Sequence, residues 1–274
     1  SPSLEPIEIN VDDQFLKDAE VSFYTSGSTG QAKKIPRNLM QLFNEVAGLE
    51  ASFKLAEQSI ALATVSHQHI YGLLFKLLWP LASGRSFYQP QLAFPEDVVD
   101  AQQHLTDFNV PNYVVSSPAL LKRWTADVVL KDCIHVYSSG GKLDSGIRPQ
   151  LNRPIIEVLG SSETGGIAYR QQDKAAWTPF QNVEIKSSEQ DELAVRSNHA
   201  CNQDWILTGD RVKVWDSRNV QSAFELLGRL DRIVKLEEKR LSLDAIEQVL
   251  MSLTEIEQCY ALLIQKENRQ ILAV

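Results

Sequence analysis

Hydroxyl groups, glycines and a basic end are concentrated in one short stretch, YTSGSTGQAKK, which spans residues 24–34. Hydroxyls, backbone amides and an ammonium group are the donors that a polyphosphate accepts, and glycines let a backbone approach closely and adopt positive φ. The stretch therefore predicts a phosphate-binding loop. It is not the P-loop of the common nucleotide hydrolases, because Gly30 is followed by QAK instead of by Lys and Ser/Thr. A flexible polar turn is the alternative interpretation of this stretch by itself.

Five further motifs follow this loop along the chain. In order they are HQHIYGL (67–73), SSGGKL (138–143), LGSSETGG (159–166), WILTGD (205–210) and GRLDRIVKLEEKRLSLDAIE (228–247). Taken singly, each has an ordinary explanation. The aspartate of WILTGD fits a turn, the serines of LGSSETGG fit another turn, and the last motif fits a solvent-exposed run of charges.

Two histidines, His67 and His69, lie two residues apart in the first of these motifs. On a β-strand such residues share one face, so a metal-binding pair is one interpretation. A protein metal site needs further ligands, and the sequence offers no third ligand near this pair. We therefore do not predict a metal site at the histidines.

The elements that must position these motifs alternate between strand and helix patterns over residues 21–170. Strand-like runs are VSFY (21–24), IALATV (60–65), NYVVS (112–116), CIHVYS (133–138) and PIIEVLG (154–160). Apolar residues recur at helical spacing in NLMQLFNEVAGLEASF (38–53), PEDVVDAQQHLTDF (95–108) and PALLKRWTADVVL (118–130). This alternation predicts the α/β class, with a mostly parallel sheet and flanking helices.

The pattern changes after about residue 170. The short alternating runs VEIKSS, ELAVRS, RVKVWDS and SAFELLG predict a small antiparallel β-barrel or sheet. After Gly228 a charged segment leads to a predicted helix, SLDAIEQVLMSL (242–253), for which Ser242 is a suitable N-cap. We therefore expect a hinge and a second domain in this part of the chain.

Composition limits the class of partner. With 274 residues, of which 43% are hydrophobic, the chain has room for about two domains and a sizeable core. A formal net charge of -8 disfavours nucleic acid and anionic membranes, so we expect a small-molecule partner and no nucleic acid. The most apolar run, IYGLLFKLLWPLA (70–82), is shorter than the roughly 20 residues that span a bilayer and contains Lys76, so we expect no membrane span.

The cysteines and the N-terminal region bear on the cellular compartment. Cys133, Cys201 and Cys259 are odd in number, far apart and without a CxxC pair. They fit ordinary thiols in a reducing compartment better than a disulfide framework or a zinc site. No basic and apolar leader pattern precedes the first strand. We therefore expect a cytoplasmic protein.

In this order and at these spacings, the six motifs resemble the core motifs of the adenylate-forming superfamily, which comprises acyl- and aryl-CoA synthetases, luciferases and the adenylation domains of peptide synthetases. TSGSTGQAK is similar to the family's TSGTTGxPK, GSSE to its GxTE, and the last motif to its GRxDxxxKxxGxRIxxxEIE. The resemblance runs from about Val21 to the end of the chain. It implies that a carboxylate attacks the α-phosphate of ATP, pyrophosphate leaves, and a thiol then takes the acyl group.

The resemblance implies roles for the residues of the first and fourth motifs. The residues that would bind the β- and γ-phosphates of ATP are Thr25, Ser26, Gly27, Ser28, Thr29, Gly30 and Lys33. Glu163 would hold Mg²⁺, a hard cation that favours carboxylates, and Ser162 would keep a hydroxyl near the α-phosphate. Leu159 and Gly160 match the adenine-binding end of the same motif, although the family usually has a stacking tyrosine at Leu159.

The remaining motifs imply contacts to the acyl group, the adenine and the ribose. His69 matches the position beside the acyl pocket, and Gly72 belongs to the same motif. Gly140 and Gly141 resemble a glycine loop that lets the backbone approach adenine and the acyl group. The matches in the last two motifs are Asp210 for the ribose hydroxyls, Arg229 for ribose or phosphate, Arg240 for the family's later arginine and Asp231 for the hinge.

The resemblance also implies a domain plan and its limits. We predict an extended leading segment (1–20), an α/β nucleotide- and acyl-binding region (21–170), a small β subdomain (171–227) and a hinge with the start of a C-terminal α+β lid domain (228–274). Family members carry well over a hundred residues before the phosphate loop and a later lysine that contacts the acyl-phosphate. We therefore expect this chain to be a fragment of a longer ligase.

Two hypotheses of different classes follow. The first is an ATP- and Mg²⁺-dependent ligase that delivers a carboxylic acid to the thiol of CoA or to the phosphopantetheine of an acyl carrier protein. The second is a non-catalytic nucleotide- or acyl-binding module with the same fold, which is favoured by Leu159 and by Glu238 at a usual hinge glycine. The identity of the acid does not follow from the sequence.

Overall fold

The computed structural model describes residues 12–26, 32–106, 110–125, 127–173, 175–215, 222–236, 239–253, 255–256, 258–266 and 269–274. The chain folds into two compact units. Unit 1 comprises residues 1–175, 179–183 and 196–204, and unit 2 comprises residues 176–178, 184–195 and 205–274. The middle of the predicted phosphate loop, residues 27–31, lies outside the described residues.

Unit 1 begins with a short helix and a β-hairpin. Helix α1 (Asp13–Asp18) is capped by Asp12, whose side chain accepts a hydrogen bond from the Phe15 amide at 2.7 Å. The leading segment, which we predicted to be extended, is therefore helical over these residues. Strands β1 (Glu20–Ser26) and β2 (Ala32–Asn38) form a separate two-stranded antiparallel sheet. The predicted strand VSFY belongs to this hairpin because a short connection lets consecutive strands pair with each other.

A seven-stranded sheet forms the centre of the α/β region. Its strands are β3 (Ile60–Ala63), β4 (Ser86–Phe87), β5 (Asn112–Ser116), β6 (Cys133–Ser139), β7 (Ile155–Ser161), β8 (Gly165–Arg170) and β9 (Thr178–Pro179). They lie in the order β4-β3-β5-β6-β7-β8-β9. The pairs from β4 to β7 are parallel, whereas β7 and β8 are antiparallel. The predicted α/β class with a mostly parallel sheet is confirmed, and the parallel strands end at one edge of this sheet.

Helices connect these strands. They are α2 (Leu39–Phe53), α3 (Ile70–Gly72), a π-helical turn (Leu73–Leu78), α4 (Trp79–Ala82), α5 (Pro95–Thr106), α6 (Pro118–Leu121) and α7 (Ile147–Leu151). Helix α2 begins with a capping box in which Asn38 and Gln41 exchange side-chain and backbone hydrogen bonds. The helices that we predicted over 38–53 and 95–108 are confirmed at residues 39–53 and 95–106.

The helix that we predicted for residues 118–130 is wrong beyond Leu121. The Lys122 amide still bonds four residues back, to Pro118, but the amides of Arg123 and Trp124 bond to carbonyls three residues back, those of Leu120 and Leu121, each at 3.1 Å. This is the tighter 3₁₀ pattern, which is seldom sustained. Trp124 and Leu130 are both buried in the main apolar core. The course of this segment is therefore set by the burial of two side chains and not by helical periodicity.

Aromatic side chains pack α2 and the apolar run 70–82 against the central sheet. The ring centroids of Phe53 and Phe75 lie 5.0 Å and 5.2 Å from that of Tyr137 on β6, and those of Trp79 and Tyr113 are 5.6 Å apart. Phe75, Trp79, Tyr113 and Tyr137 are buried. The run 70–82 thus contributes buried side chains to the core. Among the described helices, none is long and apolar enough to cross a membrane.

The second part of the chain contains the predicted antiparallel sheet. Strands β10 (Val183–Ser187), β11 (Glu192–Ser197), β12 (Ile206–Trp215) and β13 (Ala223–Arg229) are neighbours in that order. The pairs β11–β12 and β12–β13 are antiparallel. Two hairpins flank helix α8 (Leu243–Met251), namely β14 (Ile233–Leu236) with β15 (Lys239–Ser242), and β16 (Leu262–Lys266) with β17 (Arg269–Ala273). The four predicted domain boundaries stay predictions.

Candidate active site

A cavity of about 660 Å³ lies in unit 1 where the parallel strands end. The residue that directly follows each of β3, β5, β6 and β7 lines it, namely Thr64, Ser117, Gly140 and Ser162. Open α/β sheets bind their ligands outside the carboxyl ends of the strands. The cavity is therefore in the position expected of a ligand site, and it becomes the candidate active site.

The structure brings six of the residues that we predicted to the wall of this cavity: Thr25, His69, Gly72, Gly140, Gly160 and Ser162. Lys33, Gly141, Leu159 and Glu163 belong to the same unit without being part of the lining. The side chain of Ser26 and the residues Gly27, Ser28, Thr29 and Gly30 lie outside the described residues. Of the predicted phosphate loop, the structure thus describes only the two ends.

Glu163 forms an ion pair with Lys33 across 130 residues of sequence. Glu163 Oε1 and Lys33 Nζ are 3.0 Å apart, and the side chains are 30% and 63% exposed. Partial burial by itself raises the pKa of Glu163, but the Lys33 hydrogen bond and charge, with a bond to the Glu163 backbone, outweigh it and lower the pKa. Glu163 is therefore ionised at neutral pH, which is the form that ligates a cation.

Three buried residues that our sequence analysis did not identify form hydrogen bonds to the turn after β7 and to the start of β8. They are Arg37, Glu45 and His199. The Arg37 guanidinium pairs with Glu45 at 3.3 Å, and Glu45 also accepts a hydrogen bond from the Gly166 amide at 2.6 Å. One sequence signal could have found the pair. Glu45 lies three residues after Leu42, so it shares the buried face of α2, and a carboxylate buried there requires a partner.

The structure gives two different reasons why glycine is needed at two of the predicted glycine positions. Gly72 is helical, with φ of −67°, and a Cβ atom there would lie 2.1 Å from the Ser66 carbonyl oxygen. Gly140 has φ of +90°, which side chains other than glycine rarely adopt, although the space around it is open. At Gly141 a Cβ atom would only make an ordinary contact, 3.8 Å from Pro118. Close packing thus requires glycine at Gly72, and backbone conformation favours it at Gly140.

The two histidines are exposed, and His69 lines the cavity whereas His67 does not. Within the described part of the chain, no three His, Cys, Asp or Glu side chains cluster as a metal site. A hard cation at Glu163 would therefore take its other ligands from phosphate oxygens and water, which is common for Mg²⁺.

In unit 2, the residues that we predicted to bind ribose and to form the hinge are linked by ion pairs. Arg229 bonds to Asp210 at 3.4 Å and to Asp231 at 3.0 Å, and the register of β12 and β13 pairs Asp210 with Arg229. Burial raises the pKa of Asp210, although the charge of Arg229 opposes this, whereas the Arg229 hydrogen bond lowers the pKa of Asp231. Arg240 pairs with Lys235 in the β14–β15 hairpin, and its side chain lies outside the described residues.

Because the pKa of Asp210 is raised, removing the charge of this side chain is expected to stabilise the folded protein. A carboxyl group whose pKa is raised by folding contributes stability below its unfolded pKa and loses it as pH rises through the folded pKa. At pH 7 the ionised Asp210 is therefore unfavourable. We expect Asp210→Asn to raise the melting temperature at pH 7. The gain should shrink as the pH approaches about 4. Thermal unfolding scans at pH 4 to 7 measure this, and a lower melting temperature at pH 7 would contradict it.

The family of this chain is shown by comparison with known proteins. Residues 13–200 match the family described as AMP-binding enzyme. The chain therefore belongs to the AMP-binding enzyme family, and the resemblance to the adenylate-forming superfamily is confirmed. The relatives of the chain include CoA ligases of aromatic and of fatty acids, which supports an assignment of the family to the acid–CoA ligases.

Two relatives and one solved structure show how far the similarity extends. The 4-coumarate–CoA ligase of Rhodobacter capsulatus is 29% identical over 170 residues, which cover 59% of this chain and 43% of that protein. The 4-coumarate–CoA ligase of Cereibacter sphaeroides is 25% identical over 243 residues, which cover 85% of this chain and 54% of that protein. The chain thus spans about half the length of these curated relatives.

The solved structure is the O-succinylbenzoate coenzyme A synthetase of Bacillus subtilis in complex with ATP and magnesium ion. It matches with a TM-score of 0.76 at 15% sequence identity, covering 98% of this chain and 62% of that chain. At this level of identity the likeness shows the fold alone. The fold is that of the adenylate-forming enzymes.

Proposed function

We propose that the protein is an AMP-forming acid–thiol ligase. In the first step, a carboxylate oxygen of the acid bonds to the α-phosphorus of ATP while the bond from that phosphorus to pyrophosphate breaks. In the second step, a thiol sulfur of CoA or of a carrier-protein phosphopantetheine attacks the acyl carbonyl carbon, loses its proton, and AMP leaves. Both reactants of the first step are anions, so neutralising charge and holding the reacting atoms are the main tasks of the site.

The observation that carries this proposal is the Lys33–Glu163 pair beside the cavity. Its members are 3.0 Å apart, and both are accessible to solvent. A cation and an ionised carboxylate at one point suit the two parts of a magnesium nucleotide, because the ammonium can bind phosphate oxygens and the carboxylate can bind the metal. Mg²⁺ bound there would neutralise phosphate charge during the departure of pyrophosphate.

The remaining predicted residues have roles that suit the same reaction. Thr25, with the loop residues that follow it, would donate to the phosphates, and Ser162 would donate near the α-phosphate. The backbone at Gly140, Gly141, Leu159 and Gly160 would accommodate the adenine. Asp210 would accept hydrogen bonds from the ribose hydroxyls, Arg229 would contact ribose or phosphate, Arg240 would act as the family's later catalytic arginine, and Asp231 would serve as the hinge.

The acyl end of the cavity is proposed to lie at His69 and Gly72. Apolar side chains line the cavity with these two residues, among them Phe23, Leu74 and Phe75. An apolar wall favours the burial of hydrocarbon or aromatic parts of an acid. We therefore propose a carboxylic acid with an apolar body as substrate.

One observation favours a second candidate function, a nucleotide- or acyl-binding module without catalysis. Leu159 stands where the family usually carries a tyrosine that stacks on adenine. Loss of this aromatic surface weakens adenine binding, and a module without turnover would tolerate that loss.

A pyrophosphate-release assay separates the two candidates. The natural full-length protein is incubated with ATP, Mg²⁺ and a panel of aliphatic and aromatic carboxylic acids, with and without CoA. Acid-dependent pyrophosphate release and thioester formation are expected. Binding of ATP by titration without pyrophosphate release for any acid of the panel would favour the non-catalytic module.

Lys33 is expected to hold ATP by its charge. We expect Lys33→Ala to weaken binding of Mg-ATP by about 10- to 100-fold, because charge-assisted hydrogen bonds to phosphate are the strong ones. The neighbouring Lys34 is a matched control, since it pairs with Glu20 on the opposing strand at 2.8 Å. Isothermal titration of both alanine variants measures the difference. Equal affinities of the Lys33 and Lys34 variants would contradict a specific role for Lys33.

A further inference from the structure

We infer that Arg37 and Glu45 are positioning residues, whose buried ion pair holds the loop after β7 so that the Glu163 carboxylate stands where the metal nucleotide binds. This inference rests on the proposed function of Glu163. It assigns a task in the reaction to two residues that lie outside the six motifs. Residues 161–166, which comprise the last residue of β7, the turn 162–164 and the first two residues of β8, are called the glutamate loop below.

Arg37 holds the start of the glutamate loop. Its Nη1 donates a hydrogen bond to the Ser162 carbonyl oxygen at 3.1 Å, immediately before Glu163. Its Nη2 donates to the His199 carbonyl oxygen and to Glu45 Oε2, the latter at 3.3 Å. Arg37 is 1% exposed. The guanidinium therefore ties the backbone beside Glu163 to β2, to α2 and to the segment that contains His199.

Glu45 and His199 hold the other end of the glutamate loop. Glu45 Oε1 accepts a hydrogen bond from the Gly166 amide at 2.6 Å, and His199 Nε2 donates to the Gly166 carbonyl at 3.0 Å. The Asn182 amide group lies 3.1 Å from His199 Nδ1 and, by donating to it, supports this tautomer. Both backbone groups of Gly166 are thus bound by buried side chains.

The middle of the loop is held by backbone contacts. The Cys201 amide donates to the Glu163 carbonyl oxygen at 2.9 Å. Gly165 has φ of +68°, and a Cβ atom there would lie 2.5 Å from Glu45 Oε2, so the loop turns directly against that carboxylate. The backbone of Glu163 is therefore held from both sides, while its side chain remains 30% exposed.

Stability alone does not explain this pair. Replacing a buried ion pair with uncharged residues of similar volume is often neutral or stabilising, because desolvation of the charges is costly. In addition, Arg37 Nε is buried without a hydrogen-bond partner among the described residues. The two charged side chains instead direct their bonds to Ser162 and Gly166, which flank Glu163. That pattern fits a device that positions one carboxylate.

The test uses Arg37→Met/Glu45→Gln in the natural full-length protein. This double variant removes both buried charges, and the carboxamide oxygen that replaces the Glu45 carboxylate could still accept from the Gly166 amide, so the protein is expected to fold. We expect the Mg²⁺ concentration for half-maximal pyrophosphate release to rise about 10-fold, and the dissociation constant of Mg-ATP, measured by isothermal titration without an acid substrate, to rise as well. The rate at saturating Mg²⁺ should change less, by about 3-fold or below. The ion pair between Arg85 and Glu50, 2.6 Å apart and with a buried guanidinium, is the matched control when changed to Met and Gln, and it should show no shift.

A second variant covers the case in which the double variant does not fold. Glu45→Asp keeps both charges and withdraws the carboxylate from the Gly166 amide, so the same direction of shift is expected. An unchanged Mg²⁺ dependence in either variant, when folded, overturns the inference. Glu163→Gln serves as the benchmark. If Glu163→Gln leaves the Mg²⁺ dependence unchanged, the proposed function of Glu163 is wrong, and the inference is wrong with it. If Glu163→Gln changes the Mg²⁺ dependence but the folded Arg37 and Glu45 variants do not, only the inference is wrong.

Discussion

Glu163→Gln is expected to lower ATP- and Mg²⁺-dependent pyrophosphate release by about 10²- to 10³-fold, because metal stabilisation of charge contributes several kcal/mol to such reactions. The substitution keeps the shape of the side chain and removes its charge. The Glu163 side chain is 30% exposed and its ion-pair partner Lys33 is more exposed still. The melting temperature should therefore move by no more than about 2 °C. Steady-state kinetics in a Mg²⁺ series and thermal unfolding of the same preparation measure both quantities.

Glu157→Gln provides the matched control for this experiment. Glu157 is a buried carboxylate on β7, the strand that precedes Glu163, and is paired with Arg148 at 2.7 Å and with Arg170 at 2.9 Å. Its neutralisation should lower stability, because a buried pair loses one partner, while the Mg²⁺ dependence of any folded fraction is unchanged. A Glu163→Gln protein that loses stability and keeps its activity would show that Glu163 has a structural role only.

Gly72→Ala is expected to destabilise the protein strongly, although helix propensity predicts the opposite. Gly72 has helical dihedral angles, so alanine would gain about 1 kcal/mol from propensity. The new Cβ atom, however, would lie 2.1 Å from the Ser66 carbonyl oxygen and 2.7 Å from its carbon, both backbone atoms. Such overlap requires the backbone to move, and overpacking costs about 1–3 kcal/mol or more. We expect a melting temperature lower by about 4–8 °C or a failure to fold.

Gly141→Ala is the matched control for this second substitution. A Cβ atom at Gly141 would meet its nearest neighbour, Pro118 Cγ, at 3.8 Å, which is an ordinary contact. Its melting temperature should stay within about 2 °C of the parent. A stable Gly72→Ala protein would mean that the segment between β3 and α3 adjusts without cost, and the packing reason for Gly72 would then be wrong.

Much of the fold and part of the site were predictable because local patterns are strong in those places. The helix α2 follows from apolar residues at helical spacing and from the Asn38–Gln41 capping box, both of which are local features. The family follows from six motifs in a fixed order, and the family match confirms it. Of the predicted pocket residues, His69 and Gly72 do line the cavity, while their roles towards a substrate stay predictions.

Other parts of the structure did not follow from the sequence. The segment after α6 was predicted wrongly, and neither the β1–β2 hairpin nor the side chains that hold the glutamate loop were predicted. The helical pattern after Pro118 ends at Leu121, because Trp124 and Leu130 are buried in a core supplied by distant strands. Local propensity is weak against burial of two large apolar side chains.

By itself, therefore, the sequence determined the secondary structure with strong periodicity, the α/β class and the family, since each depends on residues close together in the chain or on the order of motifs. Only the tertiary structure decided which charges meet. Lys33 pairs with Glu163 across 130 residues, and Arg37 binds the His199 carbonyl across 162. A buried charge such as that of Arg37 needs partners whatever their separation in sequence, and in both cases only the folded chain brings the groups together, because the free energy of such a contact depends on burial and geometry.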